Sequence, residues 1–369
     1  MTYANQPSFL HKQRRKLIIG AVSAVALLVA IGLLIATPFG AEGRLGPAQA
    51  APPSAIGFAE GGTLLDKSAG ELDRDFAAMR SLGGSWIRVE VNWRKIESVP
   101  GQYNWGDVDR VVGAARRHGI QVLGLVTFAP QWAADPRGGN MPGSRPNNPQ
   151  TFGAFAGRAA ARYAGSISTW EVWNEPNLPL FFSPGPDVGL YGRVLRAAYG
   201  AIHAAKPGAR VLTAGLSIAN DTPTTIAPAT FISKLYAQGL KGSFDGVALH
   251  PYTFPYTAQN DPNGNWADLS EVRSVMVKNG DADKKIWITE FGAPTGIAPD
   301  AVSDQQQAII LREAITSARA LSYVGGPFFV YTLRDTGDNI AYREDNFGVL
   351  RRNWSHKPAA DTIRSLATQ

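Results

Sequence analysis

From Ile56 onward, short apolar runs alternate with longer stretches whose apolar positions recur at helical spacing. The strand-like runs fall at 56–60, 85–91, 121–127, 167–173, 210–216, 245–250, 285–289 and 327–332. Helical patterns occupy 70–82, 106–118, 150–164, 188–206, 225–239, 267–279, 303–322 and 357–367. In the second of these, Val111, Val112 and Ala115 recur at helical spacing and Gly119 follows as a stop. Eight strands alternating with eight helices predict an α/β fold, a single (β/α)8 (TIM) barrel over 55–369. An open doubly wound sheet is the alternative, but no glycine-rich phosphate loop follows the first strand. The barrel makes a demand of its own, because its chemistry must sit at the C-terminal ends of strands. The long connections comply: 133–150, 176–188, 251–266 and 333–347 each follow a strand and are rich in Gly, Pro and aromatic residues.

The pattern differs before residue 55. A basic leader, 1–16, carries Lys12, Arg14, Arg15 and Lys16, and an uncharged apolar run follows from Leu17 to Ala41. Positive charge beside such a run holds the N-terminus inside the cell and sends the remainder outward. Two fates stay open. The run is long enough to span a bilayer as an anchor, yet Ala48-Gln49-Ala50 reads as a signal-peptide cleavage site. Residues 42–54 form a Gly-, Pro- and Ala-rich tether. The expected location is therefore extracytoplasmic, secreted or held at the membrane by 17–41.

Composition narrows the function. At 44% hydrophobic and 18% charged, the chain is too apolar for a disordered protein. With Cys 0, disulfide frameworks, thiol nucleophiles and cysteine-ligated metals are excluded. The five histidines show no metal-ligand spacing, so a structural zinc site is not expected. The net charge of +6 suggests a nucleic-acid partner only until it is divided along the chain. Residues 1–50 hold five basic groups against Glu42 alone, leaving 31 basic and 29 acidic groups in the rest. The basic balance belongs mostly to the leader, and no nucleic-acid partner is implied.

Two strands end in a glutamate followed closely by proline. The fourth runs to Trp173-Asn174-Glu175-Pro176, the seventh to Thr289-Glu290-Phe291-Gly292-Ala293-Pro294. Strands four and seven of an eight-stranded barrel face each other, so carboxylates 115 positions apart converge at the mouth. A lone strand-end glutamate is usually a solvated or ion-paired group; two in such settings read as a catalytic pair. Glu171, inside the fourth strand, and Glu90 read as structural ion-pair members.

Trp-Asn-Glu-Pro on strand four with Thr-Glu-Phe-Gly on strand seven resembles clan A of the glycoside hydrolases, in the manner of families 39 and 5. Trp86-Ile87-Arg88-Val89-Glu90, the stretch from Trp93 to Trp105, and His250-Pro251-Tyr252 extend the likeness to cellulase- and β-xylosidase-like barrels. The resemblance implies retaining hydrolysis of O-glycosidic bonds, with Glu175 as acid/base and Glu290 as nucleophile, and with no metal or organic cofactor needed. Retention requires two carboxyls about 5–5.5 Å apart, one ionised and one protonated. Arg88 and Tyr252 are the candidates for keeping Glu290 ionised, and Asn174 for donating to the sugar 2-hydroxyl. His250, at a strand end, is expected to support the site, and Trp132 and Tyr331 to contact substrate. Phe181, Phe182, Tyr256 and Trp266 lie on the same loops. Many relatives carry tryptophan where Tyr331 stands, so the sugar is left open.

The partner expected is thus an extracytoplasmic poly- or oligosaccharide, with a monomeric protein and long loops pointing to endo action. A barrel that binds glycan without cutting it is the rival from another class; the intact glutamate pair argues against it. A transglycosylase would use the same residues.

Overall fold

The computed structural model describes residues 55–368. The expected leader, apolar run and tether at 1–16, 17–41 and 42–54 lie outside them. Among the described residues, no helix is long and apolar enough to cross a membrane.

Eight parallel strands form the sheet: β1 Ile56–Ala59, β2 Gly84–Asn92, β3 Gln121–Thr127, β4 Ile167–Val172, β5 Arg210–Ser217, β6 Gly246–His250, β7 Lys285–Ile288 and β8 Phe328–Val330. Sequential strands pair from β1 to β7, and β8 returns to pair with β1. Two backbone bonds draw β7 and β8 together: Phe291 N–H donates to Phe329 O at 3.0 Å, and Tyr331 N–H to Phe291 O at 2.9 Å. The expected eight-stranded parallel barrel is therefore present. Strand β8 stops at Val330, two residues before its apolar pattern does, because the Thr332 amide turns to Phe347 O at 3.3 Å.

The outer layer comprises α1 Ala69–Ser81, α2 Gly106–Arg117, α3 Pro149–Arg162, α4 Val188–Ala205, α5 Pro228–Ala237, α6 Asp268–Lys278, α7 Asp304–Ala320 and α8 Pro358–Ala367. Their starts follow local chemistry. Ser68 and Glu71 close a reciprocal capping box on α1, and Asp187 and Ser303 accept from the first-turn amides of α4 and α7. Helix α5 begins at Pro228, inside the 225–239 pattern, since proline at the first helical position needs no amide partner. A single turn, Trp93–Ile96, escapes the periodic pattern; Asn92 caps it by accepting from Lys95 N–H at 3.1 Å.

Strand alternation explains how the barrel interior is divided. Trp86, Leu123, Leu212, Ala248, Trp287 and Phe329 pack together inside it. Two residues further along β2, on the same face as Trp86, comes Arg88; two beyond Ala248 on β6 comes His250. The floor is apolar and the ceiling charged, so the charged groups are held on a rigid, close-packed base at the C-terminal end. Larger apolar surfaces on the outer faces of the strands pack against the helices and form the main core.

Candidate active site

Strand β4 delivers its glutamate through a change of backbone. Trp173 has φ 75° and Glu175 φ 46°, both in the left-handed region that costs a residue with a side chain roughly 1–2 kcal/mol. Packing holds Trp173 there. Its ring lies 5.5 Å from both Phe152 and Phe182, and its Nε1 donates to Phe181 O at 2.7 Å. In a regular strand consecutive side chains leave on opposite faces. Here the twist after Val172 brings Asn174 and Glu175 both to residues of the barrel mouth.

Arg88 is the centre of the arrangement. Buried to 4% exposure, its Nε and Nη2 donate to the two Glu171 oxygens at 2.8 and 2.9 Å. Nη2 also donates to Asn174 Oδ1 at 2.9 Å, and Nη1 to Glu290 Oε1. The expectation that Arg88 holds either an ion pair or Glu290 resolves into both. Accepting through Oδ1 orients the Asn174 amide so that Nδ2 is its donor end. Glu171 further accepts from Gly215 N–H at 2.8 Å and from Thr289 Oγ1 at 3.4 Å, as a structural ion-pair member should. Glu90 differs from its expected role: the neighbour bonded to it is Asn92 Nδ2 at 3.2 Å, and burial pushes its pKa up.

Glu290 takes the Tyr252 hydroxyl on Oε2 at 3.0 Å, opposite the guanidinium on Oε1. Burial alone would raise its pKa. The charges of His250 and Arg88, with the hydrogen bonds from Tyr252 and Arg88, outweigh burial and hold the carboxyl below its ordinary value. Wholly buried His250 places Nδ1 at 2.9 Å from Glu175 Oε1 and 3.7 Å from Glu290 Oε2; its Nε2 lies 3.0 Å from Thr289 Oγ1. Burial works against the imidazolium, but the two glutamates prevail and raise the His250 pKa. Side-chain atoms of Glu175, His250 and Glu290 come within 4.8 Å of one another. By distance the three could hold a metal ion, but the Arg88 guanidinium already on Glu290 opposes a second cation there.

Glu175, Glu290, Asn174, Arg88, His250 and Tyr252 are thus brought together. Tyr331 stands beside them, edge-on to Tyr252 with ring centres 6.4 Å apart. Trp132 is elsewhere occupied: its ring meets Trp93 edge-on at 5.5 Å and its Nε1 donates to Glu97 O at 2.8 Å. Phe182 is buried behind Trp173, Trp266 packs edge-on against Phe291, and Tyr256 is 39% exposed.

Three neighbouring residues received no role in the sequence reading. Gly215 lies against the histidine: a Cβ there would run into His250 Nε2 and stand 2.7 Å from Thr289 Oγ1. A lone glycine inside the β5 run was the available signal, since it marks close approach of another group. Thr289 adjoins Glu290 and could be noticed by position alone. Glu344 gave no signal, sitting in the charged stretch Arg343-Glu344-Asp345 of the loop after β8.

A nearly closed parallel barrel with two carboxyls converging from the ends of β4 and β7 is the architecture of clan A glycoside hydrolases, and comparison with solved structures agrees. The chain superposes on a family 39 glycoside hydrolase from Bacteroides cellulosilyticus WH2 with TM-score 0.68 and 22% identity, covering 86% of this chain and 64% of that one. A family 5 enzyme, GH5_18 from Streptomyces cattleya, gives TM-score 0.63 and 17% identity over 87% of this chain and 80% of its own. These likenesses establish the shared fold. In sequence, endo-1,4-beta-xylanase 3 of Hypocrea jecorina is 25% identical over 249 residues, 63% of this chain and 65% of the relative. The chain therefore spans about 65% of the length of that curated relative. No protein-family model matches it.

Proposed function

We propose that this chain is a retaining glycoside hydrolase that cleaves O-glycosidic bonds of a poly- or oligosaccharide by double displacement. The observation that carries the reading is the unlike treatment of two converging glutamates: Glu290 is gripped by Arg88 and Tyr252, while Glu175 contacts His250 alone of these groups. In the first step Glu290 attacks the anomeric carbon, and Glu175 gives a proton to the departing oxygen. Arg88 and Tyr252 favour the ionised form that attack requires. In the glycosyl-enzyme the Glu290 charge is consumed in an ester. Glu175, now a carboxylate, takes a proton from water as it attacks the same carbon, and the sugar leaves with retained configuration. The Nδ2 donor of Asn174 is suited to the sugar 2-hydroxyl, a bond that strengthens in the transition state.

The name of the curated relative makes β-1,4-xylan the first polymer to try. Reducing-end release from a panel of β-linked glycans, with Glu290→Gln beside the parent protein, tests the reading. Release that disappears in the variant supports it; binding without release by the parent overturns it. An extracytoplasmic site of action belongs to the same proposal, on the strength of the basic cluster and the apolar run. Protein recovered wholly in the cytosolic fraction of expressing cells would refute that part.

A further inference from the structure

Glu344 brings a third carboxylate to the mouth. Its Oε2 lies 3.5 Å from the Tyr331 hydroxyl and its Oε1 accepts from Arg343 Nε at 3.1 Å. Tyr331 in turn stands edge-on to Tyr252, the donor to Glu290. The side chain keeps 34% exposure, so it is open to an incoming group. Burial pushes the Glu344 pKa up, and although Arg343 counters this, Glu290 and Glu175 add to it. The three carboxyls therefore share one electrostatic neighbourhood.

The cations nearby are committed. Arg88 bonds Glu171, Asn174 and Glu290; His250 lies between Glu175 and Glu290; Arg343 joins Glu344 and also donates to Asp300 Oδ2 at 2.7 Å. A sugar carboxylate entering this mouth would face carboxylates whose nearest positive partners are already engaged. A sugar hydroxyl would instead find an acceptor, and an ammonium an ion-pair partner.

We propose that Glu344 makes the mouth selective by charge, admitting neutral or amino-bearing sugar units and turning away uronic acids. This rests on the hydrolase reading for its site, but it is tested by binding, which cutting does not enter.

The probes are phenyl 1-thio-β-xyloside, 1-thio-β-glucoside, 6-amino-6-deoxy-1-thio-β-glucoside and 1-thio-β-glucuronide, whose sulfur linkage resists cleavage, titrated against the full chain by tryptophan fluorescence. The glucuronide should bind about tenfold or more weaker than the glucoside, and the amino sugar at least as tightly as the glucoside. In Glu344→Gln the gap between glucuronide and glucoside should shrink several-fold, and in Glu344→Arg it should close or invert. A parent protein that binds no neutral probe, or binds the glucuronide as well as the glucoside, overturns the proposal. So does a gap that neither variant changes. Binding in this order by a protein that cuts none of the β-linked glycan panel would leave charge selection standing and remove the hydrolase reading instead.

Discussion

His250 places Nδ1 2.9 Å from Oε1 of Glu175 and, on its opposite nitrogen, meets Thr289 at 3.0 Å. One nitrogen serves the residue assigned as acid/base, while the other is tied to Glu171 through Thr289 Oγ1. The acid/base position is thereby linked to the same buried carboxylate that anchors Arg88, and Arg88 in turn grips Glu290. The two glutamates are positioned by one continuous network rather than by separate supports.

Replacement of Glu290 by glutamine removes the carboxylate proposed to attack without emptying its space. Glu290→Gln should lower turnover by roughly four orders of magnitude or more on every substrate while far-UV circular dichroism stays that of the parent. Substantial residual turnover would take the nucleophile role away from Glu290.

Loss of the proton donor should depend on the leaving group. Glu175→Ala should lose roughly 10²–10⁴-fold on unactivated glycosides. On aryl glycosides whose leaving groups need no proton, formation of the glycosyl-enzyme should survive. Equal damage to both substrate classes in pre-steady-state kinetics would disprove the assignment.

Tyr252→Phe removes one hydrogen bond to the Glu290 carboxylate. Such a bond to a charged group contributes about 1.5–3 kcal/mol, equivalent to roughly one or two pKa units. The Glu290 pKa is held below its ordinary value, so its ionisation stabilises the fold above the unfolded value of about 4.3. That contribution is lost as the pH falls through the lower folded value. In the variant the folded value rises, and the acid limb of kcat/KM should move upward by about one unit. An unmoved limb would mean that Tyr252 does not tune Glu290.

Gly215 is a steric test of the network. In Gly215→Ala the new methyl group competes with His250 Nε2 and Thr289 Oγ1, both held in a close-packed interior. Overpacking of this kind costs about 1–3 kcal/mol. Calorimetry should show a lowered Tm, and kcat/KM should drop further than the stability loss explains, because His250 carries the displacement to Glu175. Parent-like activity would uncouple the two.

Arg88→Met should be the most damaging to stability, by about 3–5 kcal/mol, since it strands Glu171 and Glu290 without their common partner. Denaturant unfolding of Arg88→Met, Glu171→Gln and the double variant measures the coupling. Strictly additive effects would show that the pair acts independently.

The sequence by itself determined the architecture and singled out the two glutamates of the proposed reaction. Alternating strand and helix patterns predicted each β-strand of the barrel to within two residues at either end, because burial on both faces of a parallel strand leaves a short apolar run. Glu175 and Glu290 were legible because each closes such a run, where a barrel must place its chemistry. What lies beside them was a different matter. The turn to left-handed backbone at Trp173, the clearance that Gly215 leaves for His250, and the approach of Glu344 to Tyr331 all depend on groups distant in the chain. Local pattern records which face of an element is buried, whereas these contacts arise only when separate elements close on one another. The sequence pointed Arg88 and Tyr252 at Glu290, but only tertiary packing set His250 against Glu175 and gave the same guanidinium to Glu171 and Asn174 as well.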